Sequence, residues 1–171
     1  SNKKNFFYEA HSCDYQDIKT LRSLVKNNFK FLKVGPELTY FYSKALFKME
    51  EIEKKLFKKK SNFKVKLLKE MKKNKQHWVD YYSKNPTENE LICNKLDRMR
   101  YYLYAKSIQS AKKILKKNIN SISRKNLNKY FKFTKKIDNQ MYQENNFNKM
   151  TYFYLNKTLI KFYRASGFKI I

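Results

Sequence analysis

The sequence predicts an all-α protein: a long antiparallel helical hairpin or bundle with shorter N-terminal and C-terminal helices. Of its 171 residues, 42% are hydrophobic and 17% aromatic, which supplies enough side-chain volume for a sizeable core. The chain has only two Gly and two Pro, too few for the many reversals of a β-sandwich or barrel. Apolar residues instead recur at intervals of three and four, the period of a helix face. The length fits a single helical domain over residues 1–171.

The first two predicted helices meet at Gly35 and Pro36. A helix beginning at Asp14 places Tyr15, Ile18, Leu21 and Val25 on one face and ends by Gly35. Pro36 suits the first turn of the second helix, because its missing N–H would have no partner there. The second pattern runs through Leu38, Phe41, Ala45, Met49, Ile52 and Leu56. It continues more loosely over residues 57–85, which leaves one very long helix or two stacked ones open.

Three further helices follow a break at Asn85 and Pro86. Thr87 and Glu90 have the spacing of a capping box, so a third helix begins there and continues to about residue 117. A fourth is expected over residues 124–142. A fifth, rich in aromatic residues, is expected over 147–165 and ends at Gly167.

The charge has two interpretations. With 40 Lys and Arg against 14 Asp and Glu, the net charge is +26, which favours binding to phosphates, nucleic acid or anionic lipid. Only five basic residues are Arg, and the chain is rich in Lys, Asn, Phe, Tyr and Ile, as expected from an A/T-rich genome. On this interpretation part of the positive charge comes from mutational bias, which places lysines on solvent-exposed helix faces.

Little in the sequence indicates an enzyme, a cofactor or a metal. His11 and His77 are isolated in sequence, and there is no Gly-rich phosphate loop or nucleophile motif. Cys13 and Cys93 lie far apart without metal-ligand spacing, which predicts reduced thiols in a cytoplasmic protein. No stretch is long and apolar enough to predict a transmembrane segment. We therefore expect a binding protein with no catalytic or metal-binding residues.

A lysine cluster marks the predicted fourth helix. On a helical wheel Leu127, Tyr130, Thr134, Ile137 and Met141 share one side, and Lys125, Lys129, Lys132, Lys135 and Lys136 gather on the other. Lys132, Lys135 and Lys136 would project from about one turn, an arrangement that suits a multiply phosphorylated ligand. In a chain this basic, an amphipathic helix also shows a lysine face by composition alone.

Two segments resemble the SPX domain, a helical module that senses inositol polyphosphates and pyrophosphates. Residues 130–138, with Leu127 and Asn128 before them, are similar to its lysine-rich helix, and residues 15–22 are similar to its early tyrosine-containing helix. The resemblance covers most of residues 3–140 and leaves the aromatic helix 147–165 outside.

The resemblance implies a phosphate-sensing function. The partner would be inositol hexakisphosphate or an inositol pyrophosphate, bound by Lys132, Lys135, Lys136 and Arg22 with help from Lys19 and Lys4. SPX modules are joined to membrane transporters or polymerases, so the protein would work in the cytoplasm or at the cytosolic face of a membrane, as part of a larger protein. Two alternatives stay open: nucleic-acid binding by a basic helical scaffold, and a membrane-surface or scaffold interaction on anionic lipid.

Overall fold

The computed structural model describes residues 6–134, 141 and 143–168. It begins with a β-α-β unit: strand β1 is Tyr8–Ala10, helix α1 is Ile18–Lys26 and strand β2 is Phe29–Leu32. The two strands pair in parallel, with Glu9 opposite Phe31 and Ala10 opposite Leu32. Parallel strands need a crossover between them, and α1 supplies it.

Local signals explain the crossover. The Asp17 carboxylate caps α1 by accepting a hydrogen bond from Thr20 N at 2.7 Å. After α1, Asn28 takes a left-handed conformation with φ 67°, which Asn tolerates better than most residues, and the chain turns into β2. Ala10 and Leu21 are buried with Cys13 and Ala165 in a small core between this unit and the last helix.

The remaining elements are helices that surround a larger core. They are α2 (Pro36–Leu56), α3 (Phe63–Lys73), α4 (Glu88–Cys93), a 3₁₀ helix (Arg98–Tyr102), α5 (Lys106–Asn120), α6 (Arg124–Leu127) and α7 (Asn146–Ala165). Helix α2 packs against α7, α5 and α3, and α7 also packs against α1. The last helix thus joins the larger core to the β-α-β unit.

Buried polar groups fix the helix connections in the larger core. The Glu53 carboxylate, fully buried on α2, accepts hydrogen bonds from Ser61 N at 3.0 Å and from Asn118 Nδ2 at 2.7 Å. The Trp78 indole N–H donates to the Met71 carbonyl oxygen at 2.8 Å. These bonds satisfy groups that would otherwise be buried at a cost of about 1–3 kcal/mol each.

Three predicted helix ends are confirmed. Pro36 lies in the first turn of α2. Thr87 caps α4 and accepts a hydrogen bond from Glu90 N at 3.2 Å. Gly167 has φ 83° just after α7, and Phe168 N donates to the Tyr163 carbonyl oxygen at 3.1 Å, as in a Schellman motif.

The all-α hairpin prediction is wrong in two respects. Residues 8–10 and 29–32 form a parallel sheet; these strands are too short to show an alternating pattern. The expected third helix is also interrupted, because Asp97, with φ 47°, precedes a 3₁₀ helix within it. Between residues 36 and 85 the chain forms two helices, α2 and α3, separated at Asn62 with φ 51°, which is one of the two alternatives left open. Apolar spacing continues across these breaks because the separate pieces line the same core.

The predicted fourth helix is also wrong in its described part. Helix α6 ends at Leu127, and residues 131–134 have no helical structure. Phe131 packs instead against Phe153 of α7, with ring centroids 5.0 Å apart. Helix α6 thus ends after a single turn, and the chain beyond it packs against α7 through aromatic contacts.

Among the described residues, no helix is long and apolar enough to cross a membrane.

Candidate functional site

The carboxyl ends of the two parallel strands bring polar residues together. His11 directly follows β1, and Lys33 directly follows β2. Main-chain hydrogen bonds continue the ladder past the strands: Lys33 N donates to the Ala10 carbonyl oxygen at 2.8 Å, and Cys13 N donates to the Lys33 carbonyl oxygen at 2.9 Å. Ligands of open parallel sheets bind outside the carboxyl ends of the strands, so this edge is the candidate site.

Three side chains meet on the open face of the sheet; we call Glu9, His11 and Lys33 the strand-end triad. Glu9 Oε1 lies 2.7 Å from His11 Nε2 and 2.6 Å from Lys33 Nζ. The hydrogen bond from Lys33 is the largest of the effects that hold the pKa of Glu9 below its usual value. Phe31, paired with Glu9 across the sheet, is 63% exposed beside them.

The triad combines groups that differ in what they offer a ligand. When His11 Nε2–H donates to Glu9, Nδ1 of the neutral imidazole is an acceptor and a potential proton acceptor. The Lys33 ammonium has three donors, of which Glu9 takes one. A carboxylate that orients an imidazole is a common arrangement for acid–base chemistry.

A second set of residues holds the loops behind the triad. Asp14 Oδ1 accepts hydrogen bonds from Gly35 N at 3.0 Å and from Glu37 N at 2.8 Å. The Glu37 carboxylate accepts one from Tyr15 N at 2.5 Å. Ser12 and Tyr15 have positive φ values, 55° and 60°, which non-glycine residues adopt rarely. The hydrogen bonds stabilise a loop conformation that the backbone alone disfavours.

Helix α7 completes this buried network. Lys161 Nζ lies 2.6 Å from the Glu37 carboxylate, with both side chains largely buried, and also donates to the Gln16 carbonyl oxygen at 3.1 Å. Thr158 Oγ1 donates to Glu37 Oε1 at 3.2 Å. The last helix therefore fixes the loops that follow β1 and β2.

Asp97 is a buried carboxyl group near the same loops. It is 1% exposed, and among the described residues no group forms a well-aligned hydrogen bond with either carboxylate oxygen. The Thr39 hydroxyl is close enough to lower the pKa of Asp97 by hydrogen bonding, although it is directed at the Gly35 and Pro36 carbonyl oxygens, at 3.4 and 3.3 Å. Burial raises the pKa of Asp97 to about 7, against the opposing effects of Thr39 and Arg100.

Asp97 is linked to the site through Tyr15. The Tyr15 hydroxyl donates to the Lys95 carbonyl oxygen at 2.7 Å. Burial, together with the nearby Asp97 and Glu37 carboxylates, raises the pKa of Tyr15. The residues just before the 3₁₀ helix thus contact the loop that follows β1.

The predicted ligand residues lie in several elements. Lys19 is exposed on α1, and Lys132 is exposed in the segment after α6. Arg22 lines a cavity of about 480 Å³ with Lys26 and Arg164, and its Nε donates to the Arg164 carbonyl oxygen at 3.5 Å. Lys4, Lys135 and Lys136 lie outside the described residues. Anion binding by these six residues stays a prediction.

The triad was not predicted from the sequence. His11 was treated as isolated because Lys33, which shares its carboxylate, is 22 positions away in sequence. The signal was present in Glu9 and His11, which are two residues apart and so lie on one face of an extended segment. Within the described ranges, no group of three or more His, Cys, Asp and Glu side chains is arranged to hold a metal ion.

Comparison with known proteins identifies the family. A family model described as "D-tagatose-1,6-bisphosphate aldolase subunit GatZ/KbaZ-like" matches residues 1–167. The chain belongs to the GatZ/KbaZ-like family. Among its relatives, D-tagatose-1,6-bisphosphate aldolase subunit GatZ of Escherichia coli O6:K15:H31 is 32% identical over 124 residues, which is 70% of this chain. The subunit of the same name from Klebsiella pneumoniae is 37% identical over 101 residues, or 56% of this chain.

The chain spans only part of the length of these relatives. It covers 30% of the Escherichia coli protein and 23% of the Klebsiella protein. A solved structure, a probable tagatose 6 phosphate kinase from Sinorhizobium meliloti 1021, matches 93% of this chain and 43% of its own, with a TM-score of 0.72 and 23% identity. At this identity the likeness shows the fold alone.

Family membership overturns the functional predictions from the sequence. The resemblance to SPX domains is wrong, and with it the inositol polyphosphate partner and the phosphate-sensing function. The expected transporter or polymerase connection is also wrong, as are the alternatives of nucleic-acid and membrane-surface binding. The prediction of a non-enzyme fails as well, because the relatives are named as subunits of an aldolase. The error arose because lysine patterns are abundant in any chain of this composition.

Proposed function

We propose that this chain belongs to a subunit of a D-tagatose-1,6-bisphosphate aldolase and serves the cleavage of that sugar bisphosphate. The observation that carries the proposal is the family match over residues 1–167. Because the relatives are named as one subunit of the aldolase, the proposal includes a second protein as partner.

The chemistry of the strand ends supports the proposal. An aldolase breaks a carbon–carbon bond near the carbonyl group of its sugar, so it needs a proton acceptor for a hydroxyl group and positive charge for the developing oxyanion. His11 and Lys33 are groups of these two kinds, held by one carboxylate. The net charge of +26 also attracts a bisphosphate.

The proposal places the protein in the cytoplasm, where phosphorylated sugars are made and consumed. Cys13 and Cys93, both free thiols, suit a reducing compartment.

The test is an aldolase assay on the protein purified from its own cells with its associated proteins. The eluate should cleave D-tagatose-1,6-bisphosphate, and at a higher rate than D-fructose-1,6-bisphosphate, which differs in configuration at one carbon. The proposal would be overturned if the eluate contained the protein together with its associated proteins but cleaved neither sugar.

A further inference from the structure

We infer that the strand-end triad of Glu9, His11 and Lys33 is a binding site for the carbonyl and hydroxyl groups of a phosphorylated ketose. The inference rests on the proposed function for the identity of the sugar and on the geometry for the site. It deepens the proposal by assigning residues to the ligand.

Position is the first argument. His11 and Lys33 are the first residues after two neighbouring parallel strands, and the ladder hydrogen bonds of Lys33 and Cys13 hold their backbones in register. The side chains of Glu9 and His11 lie on the same face as Phe31, away from the small core that contains Ala10. A ligand outside the carboxyl ends of the strands would contact all three polar groups.

Charge is the second argument. The carboxylate of Glu9 and the ammonium of Lys33 carry opposite charges that offset each other at 2.6 Å. A bare phosphate ion would meet the Glu9 carboxylate as well as Lys33, whereas an uncharged carbonyl or hydroxyl group would not be repelled. The triad therefore suits the sugar portion, and the general positive field of the chain attracts the phosphates.

The ion pairs of Glu9 with His11 and Lys33 contribute little to the stability of the fold. All three side chains are substantially exposed, and exposed ion pairs contribute little to stability because water screens them. Phe31 adds a large exposed apolar surface beside them, and ligand sites commonly combine such a surface with a few placed polar groups. The cluster is thus better suited to a ligand than to holding the fold.

In this site Lys33 donates to the ketose carbonyl oxygen, and His11 Nδ1 accepts a hydrogen bond from a sugar hydroxyl. Glu9 is a positioning residue that holds both. Removing Lys33 should therefore weaken sugar binding more than removing a cation from the adjoining strand β2.

The experiment is calorimetric titration of the protein with D-tagatose-1,6-bisphosphate. Lys33→Met is compared with Lys30→Met, which removes the same charge from an exposed position of β2. We expect Lys33→Met and His11→Ala to raise Kd at least ten-fold and Lys30→Met to change it less than two-fold. Circular dichroism checks that all variants keep the parent fold.

Other outcomes overturn the inference. Equal weakening by Lys33→Met and Lys30→Met would mean a generic charge effect, and absence of binding would remove the site. If inorganic phosphate bound as tightly as the sugar bisphosphate, with the same dependence on Lys33, the site would be a simple anion site. The aldolase assay is a separate measurement: cleavage with no Lys33 effect on binding refutes the site alone, and a specific Lys33 effect without cleavage refutes the proposed function alone.

Discussion

Reciprocal hydrogen bonds between Asp14 and Glu37 join the loop after β1 to the first turn of α2. Asp14 Oδ1 accepts from Glu37 N at 2.8 Å, while the Glu37 carboxylate accepts from Tyr15 N, the residue next to Asp14, at 2.5 Å. Each carboxylate therefore binds the main chain of the other segment. This pair sets the separation of the loops after β1 and β2, and so the environment of His11 and Lys33.

Asp14→Ala should destabilise the protein by about 1–3 kcal/mol. The change removes the acceptor for Gly35 N and Glu37 N, leaving partly buried donors without a partner. Urea unfolding followed by circular dichroism measures the loss. Asp80→Ala is the matched control, because Asp80 is exposed and its removal changes the net charge equally. An equal loss in the two variants would contradict the role of Asp14.

Lys161→Met should cost roughly 3 kcal/mol, because it leaves the buried Glu37 carboxylate without its cation. Adding Glu37→Gln should recover part of this loss, since the unpaired charge is then gone. Unfolding free energies of the two single variants and the double variant form a double-mutant cycle. Lys157→Met, one turn earlier on α7 and exposed, serves as the control. Strictly additive effects would contradict the coupling.

Asp97 should make stability depend on pH. Its pKa is raised to about 7 in the folded protein from an ordinary value of 3.8, so the folded state binds more protons between these values. The free energy of unfolding therefore falls as pH rises from about 4 to 7, by at most roughly 4 kcal/mol. Outside that window the contribution of Asp97 does not change with pH. Two neighbours, Thr39 and Arg100, lower the pKa of Asp97. The Asp97 carboxylate in turn raises the pKa of two nearby tyrosines, Tyr15 and Tyr82.

Asp97→Asn should flatten this dependence. Asn keeps the size of the side chain and tolerates the positive φ of 47°, but it carries no charge to be buried. Unfolding curves at pH 5 and pH 8 compare the two proteins, and groups other than Asp97 cancel in the difference. Parallel losses between pH 5 and pH 8 in parent and variant would show that Asp97 does not titrate as described.

Local signals in the sequence were sufficient for several helix ends. Pro36, Thr87 and Gly167 act through their own backbone or through a side chain three residues away, so no tertiary information is needed. The breaks at Asn62 and Asp97 carry a weaker signal, because Asn and Asp tolerate the left-handed conformation seen there but occur in helices as well. The strands were missed since β1 has three residues and pairs only after a crossover helix.

The meeting of the three triad residues could not be predicted from the sequence for the same reason, although the spacing of Glu9 and His11 was a local signal. Glu9, His11 and Lys33 meet only when β1 and β2 pair in parallel, and a reading that expected helices could not place them on one face. The lysine cluster drew attention instead because it is local. Local clustering of Lys carries little information in a chain with 40 basic residues.

The central claim is tested most directly by the rate at which the purified complex cleaves D-tagatose-1,6-bisphosphate before and after this protein is removed by immunodepletion. We expect the rate to fall in proportion to the protein removed and to return when purified protein is added back. A rate that does not change on depletion would contradict the assignment to the aldolase.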